Sequence, residues 1–294
     1  MKFFYRKVVF IYQFLKLNYL RLYLFFCSIF KSKNCCALDN DVDVIISLTS
    51  YYKRFSTLRW TLESLMQQKT KYKYKIILIL SQEDIDKYKK LPDDLDKYKN
   101  RGLSVILVNE NIKSYKKAFY TYDLDRPLIT VDDDIYYPSS WLENLIDESK
   151  KTPDMIIAYR GHYMLSENEN FLPYIDWMKW SDKKFSREAK FSFLPTGTSG
   201  VYYPVGALDG LKESKDKFLK ICPHADDFWF KYLTVKNGYK ARRVSHDNIH
   251  FSIISRGESL FEINVVDGKN DIQFLELLKD IDFKKQVLSD SFKI

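Results

Sequence analysis

The order of apolar runs along the chain predicts an α/β fold: a mostly parallel, doubly wound sheet flanked by helices. Three observations carry that expectation. Residues 43–49, 74–80, 103–108 and 128–131 are compact, β-branched runs of strand length. Segments with helical or turn-like patterning separate them. The fourth run ends in three carboxylates, Asp132, Asp133 and Asp134, placing acidic oxygens at the mouth of the sheet, where open α/β sheets bind ligands.

Taken in order, residues 43–49 read as the first strand and 50–56 as the loop beyond its carboxyl end. Residues 57–67 carry Leu58, Leu62, Leu65 and Met66 at helical spacing. A second strand at 74–80 precedes two short helices or turns at 83–88 and 91–98. The third strand, 103–108, leads to a helix over 114–124, and the fourth strand follows. Beyond it the pattern is less regular. Residues 155–160 form a strand, and a loop holding Trp177 and Trp180 comes next. A glycine-punctuated turn at 196–204 runs into a short strand. Residues 223–233 open a helix, and 271–291 form a terminal helical region. The loops at 49–56, 109–117 and 132–134 are expected to converge. Neither GxGxxG nor GxxxxGK[ST] follows any strand, so an ordinary dinucleotide fold and a P-loop are both unsupported.

The net charge of +8 is unevenly placed. Residues 1–38 hold Lys2, Arg6, Lys7, Lys16, Arg21, Lys31 and Lys33 and no acid, leaving 40 basic and 39 acidic residues for the body. A nucleic-acid-binding domain carries its positive charge on its folded body, so no nucleic-acid partner is expected. The four cysteines (Cys27, Cys35, Cys36, Cys222) make neither a disulfide framework nor a zinc spacing, which suits a reducing compartment. With 46% hydrophobic and 16% aromatic residues the body can bury a large core.

The first thirty residues stand apart. Their uncharged stretches are too short to span a bilayer. On a helical projection Phe4, Tyr5, Val8, Ile11, Tyr12, Leu15, Tyr19, Leu22, Tyr23 and Phe26 share one arc, with Lys2, Arg6, Gln13 and Lys16 opposite and Lys7 and Arg21 at the edge. A basic face against an aromatic face suits a helix lying in the membrane interface; the alternatives are a helix docked on protein or a secretion segment. The expected place is the cytoplasm, peripheral at the inner face of the cell membrane.

Asp132 and Asp134, two residues apart at a strand end, have the chemistry to hold Mn²⁺ or Mg²⁺ together with a ribose or phosphate. Asp226 and Asp227 open a helix and read either as charges on its dipole or as a general base and its support. Asp227 is the expected base, Asp226 its companion, and Trp229 the expected lining of the acceptor cleft. Lys116, Lys117 and Arg54 lie in loops that would meet phosphate. His250 or His246 is a candidate further ligand for metal or phosphate.

Together these motifs resemble the GT-A glycosyltransferases, particularly bacterial family 2-like enzymes of surface polysaccharide or lipopolysaccharide synthesis. The opening VIISLTSYYKRF at 44–55 is similar to the segment that receives the nucleotide base and ribose. LESLMQQ at 62–68 resembles the helix that follows it. VDDDI at 131–135 resembles the DxD motif, GVYYP at 200–204 the acceptor-loop segment, and ADDFW at 225–229 the acidic acceptor-side motif. The resemblance implies a GT-A domain over 39–294, after a membrane-interface helix over 1–38. Within that domain it implies a nucleotide-binding half at 43–138, an acceptor half at 139–260 and a helical region at 261–294. It assigns Thr49, Tyr51, Arg54, Lys116, Asp132 and Asp133 to the nucleotide sugar, a UDP-sugar being favoured. Asp134, Asp132 and His250 go to Mn²⁺ or Mg²⁺, and Gly200 and Trp229 to a glycan or lipid-linked acceptor. It also implies inversion with Asp227 as base. A family 2 opening commonly has an acid after the first strand, where this chain has Tyr51, Tyr52 and Arg54. A sugar-phosphate nucleotidyltransferase is the rival enzyme reading, but the 49–56 loop lacks the glycines of that class. A non-catalytic carbohydrate-binding protein on the same fold is the third.

Overall fold

The computed structural model describes residues 2–30, 41–183, 186–255 and 268–294. Its strands are β1 (Val44–Thr49), β2 (Tyr74–Ser81), β3 (Leu103–Val108), β4 (Leu128–Thr130), β5 (Met155–Ala158), β6 (Gly161–Tyr163), β7 (Leu165–Glu167), β8 (Asn170–Phe171), β9 (Phe193–Pro195), β10 (Val201–Tyr203), β11 (Lys240–Arg243) and β12 (Phe292–Lys293). Seven of these build the central sheet in the order β11-β5-β10-β4-β1-β2-β3. All neighbours are parallel except β10, which runs antiparallel to both β4 and β5. The mostly parallel sheet expected from the sequence is therefore present, with one reversed strand delivering the 196–204 turn into its centre.

Alternation along the central strands explains the layering. In β1, Val44, Ile46 and Leu48 enter one core and Ile45 the other; in β2, Ile76, Leu78 and Leu80 oppose Ile77 and Ile79. A strand has period two, so a run apolar at every position is buried on both faces. The helices are α1 (Lys2–Phe30), α2 (Leu58–Met66), α3 (Gln82–Tyr88), α4 (Leu95–Lys99), the one-turn α5 (Lys116–Phe119), α6 (Trp141–Lys151), α7 (Tyr174–Ser181), α8 (Lys215–Ile221), α9 (Asp226–Lys236), α10 (Lys269–Leu277) and α11 (Ile281–Ser289). Helices α2 and α6 contribute to one core, α5 and α9 to the other.

Two sequence expectations change. The helix expected over 114–124 contracts to α5, because Lys113 (φ 56°) and Asp125 (φ 51°) break the chain on either side and the Thr121 and Tyr122 N–H groups close back on Ala118. The expected loop around Trp177 is helix α7 (Tyr174–Ser181), with the Trp177 ring packed edge-on against Phe274.

Helix α1 (Lys2–Phe30) docks through a stripe distinct from its aromatic arc. Leu20 and Leu24 bury against Ile254, with Leu17, Trp60 and Tyr136 packed around them. Arg21 donates from Nε and Nη2 to the Ile254 carbonyl at 3.0 and 2.7 Å, so it serves docking as well as the basic edge. Ile11, Tyr12, Leu15, Tyr19, Leu22, Tyr23 and Phe26 remain exposed. Among the described residues no helix is long and apolar enough to cross a membrane. Residues 31–38 of the expected N-terminal unit lie outside the described residues.

Candidate active site

The site grows from the carboxyl ends of β1 and β4. The Val131 N–H bonds the Ser47 carbonyl at 3.1 Å, carrying the sheet up to the aspartate triplet. Asp133 is 5% exposed. It accepts from Ser50 Oγ at 2.5 Å and from Arg54 Nη1 at 2.6 Å, while Thr61 Oγ1 bonds its carbonyl at 2.8 Å. The other arm of Arg54 reaches Asp134 Oδ2 at 3.0 Å. Burial would lower the Arg54 pKa, but Asp133 and Asp134 outweigh it and hold the guanidinium above its ordinary value. Burial and then Asp133 push the Asp134 carboxyl up to about 7, against the pull of Arg54.

Asp132 Oδ1 accepts from Lys117 Nζ at 3.0 Å, and the same ammonium lies 3.1 Å from Asp226 Oδ2. Burial opposes the charge on Lys117, yet Asp132, Asp226 and Asp227 hold its pKa well above the usual lysine value. Asp227 follows in the first turn of α9, a favourable place for a carboxylate, and accepts from the Gly197 N–H at 3.2 and 3.3 Å. Burial first, then Asp226, push Asp227 up to about 7, with Lys117 opposing. A Cβ at Gly197 would stand 2.9 Å from Lys117 Nζ, 3.3 Å from Asp132 Oδ1 and 3.4 Å from Asp227 Oδ1. The glycine leaves the room in which those three groups meet.

Five carboxylates (Asp132, Asp133, Asp134, Asp226, Asp227) thus share two cations, Arg54 and Lys117. The deficit is negative and the donors are hard oxygens, which fits Mn²⁺ or Mg²⁺ held by Asp134 and Asp132. Among the described residues no three His, Cys, Asp or Glu side chains form a ready-made metal cluster.

The other expected residues divide. Thr49 spends its hydroxyl on the Ile79 carbonyl at 2.8 Å. Tyr51 lies beside Arg54, its ring centre 5.5 Å from the guanidinium carbon. Lys116 makes its contacts away from the triplet, at 2.8 Å to Asn111 Oδ1 and 3.3 Å to both Ser81 Oγ and Asp84 Oδ2. Its neighbour Lys117 is the lysine at the acidic centre. Gly200 (φ +89°) is a backbone requirement: a Cβ there would strike the Trp141 ring at 2.6 Å.

Trp229 is not a cleft lining. It is 2% exposed, packs on Tyr232 and Phe218, and donates from Nε1 to Ser214 Oγ at 3.3 Å. Its place in the helix explains the difference, since α9 turns its aromatic residues into the core. His250 is not available to Asp134 as a ligand. Its Nδ1 accepts from Arg160 Nε at 3.2 Å and its Nε2 lies 3.1 Å from Asp182 Oδ1, leaving no lone pair for a metal. His246 contributes its carbonyl to Ser186 and Arg243. Sequence reasoning passed over Ser50, Gly197 and Asp84; the only signal for Gly197 was the glycine-rich spelling of the 196–200 turn.

The family model described as Glycosyl transferase family 2 matches residues 47–203, more than half of the chain, from β1 through the triplet to the end of β10. The chain belongs to glycosyl transferase family 2. As a member it is a glycosyltransferase, and its sheet and flanking helices have the GT-A fold. Solved structures of similar fold include two with bound nucleotide sugar. One is the mannosyltransferase PcManGT from Pyrobaculum calidifontis in complex with GDP-Man and Mn²⁺, with 12% identity, 93% of this chain and 79% of that chain covered, and a TM-score of 0.51. The other is residues 1–349 of S. aureus TarS in complex with UDP-GlcNAc, with 16% identity, 84% and 70% covered, and a TM-score of 0.50. No curated protein matches the chain.

Proposed function

We propose that this family 2 glycosyltransferase moves a sugar from a nucleotide-sugar donor to a hydroxyl of a glycan or lipid-linked acceptor, with inversion, in the synthesis of a cell-surface polysaccharide. The observation that carries the reading is the Lys117 bridge, which joins the strand-end Asp132 to Asp226 beside Asp227. It sets donor-side and acceptor-side carboxylates around one small space at Gly197. A UDP-sugar is favoured as donor; similar folds bind UDP-GlcNAc in one case and GDP-Man with Mn²⁺ in the other.

Asp134 and Asp132 would hold the divalent cation. When bound, it supplies positive charge that stabilises the departing nucleoside diphosphate. Asp133, tied to Ser50 and Arg54, fixes the triplet. Asp227 takes the proton of the acceptor hydroxyl. The acceptor oxygen bonds to the anomeric carbon as the bond to the diphosphate breaks, and the electron pair leaves with the diphosphate. A pKa near the working pH suits a general base, and burial supplies that at Asp227. Lys117 keeps the neighbouring carboxylates compatible in one place.

The exposed aromatic arc of α1, with its basic residues, suits peripheral attachment to an anionic membrane face, here the cytoplasmic one. The substitution Asp227→Asn is expected to leave nucleotide binding within twofold and to lower sugar transfer by about 10²–10⁴-fold, the usual contribution of a general base. Nucleotide titration and turnover of the full-length protein check this; near-normal turnover would remove Asp227 as the base.

A further inference from the structure

Arg160 follows β5 and is half-buried on the acceptor side. Its Nη1 donates to Thr196 Oγ1 at 2.8 Å and its Nε to His250 Nδ1 at 3.2 Å, while its carbonyl accepts from the Thr196 N–H at 3.1 Å. Among the described residues no carboxylate pairs with the guanidinium, and no hydrogen bond occupies Nη2. Beyond His250, Asp182 Oδ1 takes Asn248 Nδ2 at 2.6 Å and His250 Nε2 at 3.1 Å. The His250 ring thus stands between the arginine and the aspartate, with Nδ1 toward Arg160 and Nε2 toward Asp182. Asn248 in turn accepts from the Gly161 N–H at 3.0 Å, bracing the residue after Arg160.

The position of this charge is informative. Thr196 immediately precedes Gly197, whose N–H holds Asp227. Arg160 is therefore one hydrogen bond and one peptide from the Gly197 N–H that binds the proposed base. The Tyr174 hydroxyl feels both groups: after burial, Arg160 and Asp227 are the largest influences on it. A planar guanidinium that is oriented by Thr196 and His250 and has donors to spare matches the fork geometry of a carboxylate or phosphate. An anionic ligand would supply the counter-ion that the described residues do not.

We propose that Arg160 binds an anionic group of the acceptor, so that the sugar is passed to a hydroxyl near a carboxylate or phosphate. The inference rests on the reading of Asp227 as the acceptor-side base and names the acceptor class that reading left open. Neutral glycans would lack the contact. A sugar acid and a phosphorylated or lipid-phosphate acceptor share the required chemistry.

The test uses the full-length protein with Mg²⁺ and saturating UDP or GDP, so that the donor site is filled. Thermal stabilisation is followed against inorganic phosphate, glucuronate and glucose at constant ionic strength, in wild type, Arg160→Gln and Arg160→Lys. Phosphate or glucuronate is expected to stabilise wild type, with the midpoint concentration raised about tenfold or more in Arg160→Gln and less in Arg160→Lys. Glucose should have no effect. Response to phosphate alone assigns a phosphate-bearing acceptor, and response to glucuronate alone a sugar acid. Equal anion response in wild type and Arg160→Gln, or none in wild type, overturns the proposal. An unchanged unliganded melting temperature and UDP response show that the variants fold; should Arg160→Gln fail there, Arg160→Lys carries the comparison. Absence of any nucleotide response would instead sink the donor reading, and the wild-type against Arg160→Gln difference is still read without nucleotide.

Discussion

Asp227 illustrates how burial sets chemistry at the scale of one residue. Its carboxyl is pushed up to about 7 by desolvation and by Asp226, against Lys117 and with Asp132 adding to the rise. The reactive form of a general base is deprotonated, so transfer is expected to fall as pH drops below about 7 and to reach a plateau above it. Because Asp226, Lys117 and Asp132 face the same space, the apparent value belongs to the group of charges rather than to one residue. A pH–rate profile of the wild type checks this; in Asp227→Asn the acid limb should be displaced, and an unchanged limb would assign it to another group such as Asp134. The adjacent lysines show what a sequence cannot resolve at this scale. Lys116 and Lys117 have the same chemistry and follow the same strand, yet one meets Asp84 and Asn111 and the other the triplet. Which of two neighbours turns to the site depended on the single turn of α5, whose shortness no periodicity announced.

Between residues and fold stand the turns and helices that hold them. Gly200 adopts φ +89° and ψ 136°, a region open essentially to glycine, and the indole of Trp141 fills the space where a side chain would go. Trp141 Nε1 also bonds the Ser199 carbonyl at 2.9 Å, closing the turn that presents Gly197. Gly200→Ala is expected to cost about 3 kcal/mol, from backbone strain and overpacking together. Urea denaturation reads that loss; a change under about 0.5 kcal/mol would contradict the account of the turn. The helix motif at 62–68 was legible and its purpose is now plain. Glu63 pairs with Arg101 at 2.6 Å, Ser64 Oγ accepts from the Tyr137 N–H at 3.2 Å, and Gln68 Oε1 from the Leu142 N–H at 3.0 Å. The first bond ties the helix to the turn that enters β3, and the last two fasten the segment after the triplet. Trp229 was misplaced because an aromatic after two acids reads equally as a cleft wall or a core anchor, and only the rotation of α9 decides. His250 failed as a metal ligand for a similar reason: the partner that captured it, Arg160, lies ninety residues away in sequence.

For the whole molecule, the sheet was readable because parallel strands buried on both faces leave continuous apolar runs, as in β1 and β2. The short strand of the 196–204 turn was expected, but its antiparallel insertion between β4 and β5 was not, and neither were the small sheets of β6 with β9 and of β12, β7 and β8, whose two- and three-residue strands carry no period. Helix α1 connects the site to its surroundings. Arg21 grips the Ile254 carbonyl, and the Ile254 N–H bonds the Asp134 carbonyl at 2.7 Å, so one short segment links the helix to the expected metal-binding residue. If the aromatic arc is an interfacial face, full-length protein should float with anionic vesicles. Replacing Tyr19 and Phe26 by Glu should then abolish flotation while Leu20 and Leu24 keep the helix docked. Undiminished flotation of that double variant would assign the arc another role.

The central claim is that the carboxylates at the end of β4 hold a divalent cation against a nucleoside diphosphate. Calorimetric titration of UDP and of GDP into the protein, with and without Mn²⁺, tests it most directly. One of the two should bind with at least tenfold higher affinity when Mn²⁺ is present, and Asp134→Ala should lose that enhancement. Binding that is indifferent to Mn²⁺, or an enhancement that survives in Asp134→Ala, would contradict the account.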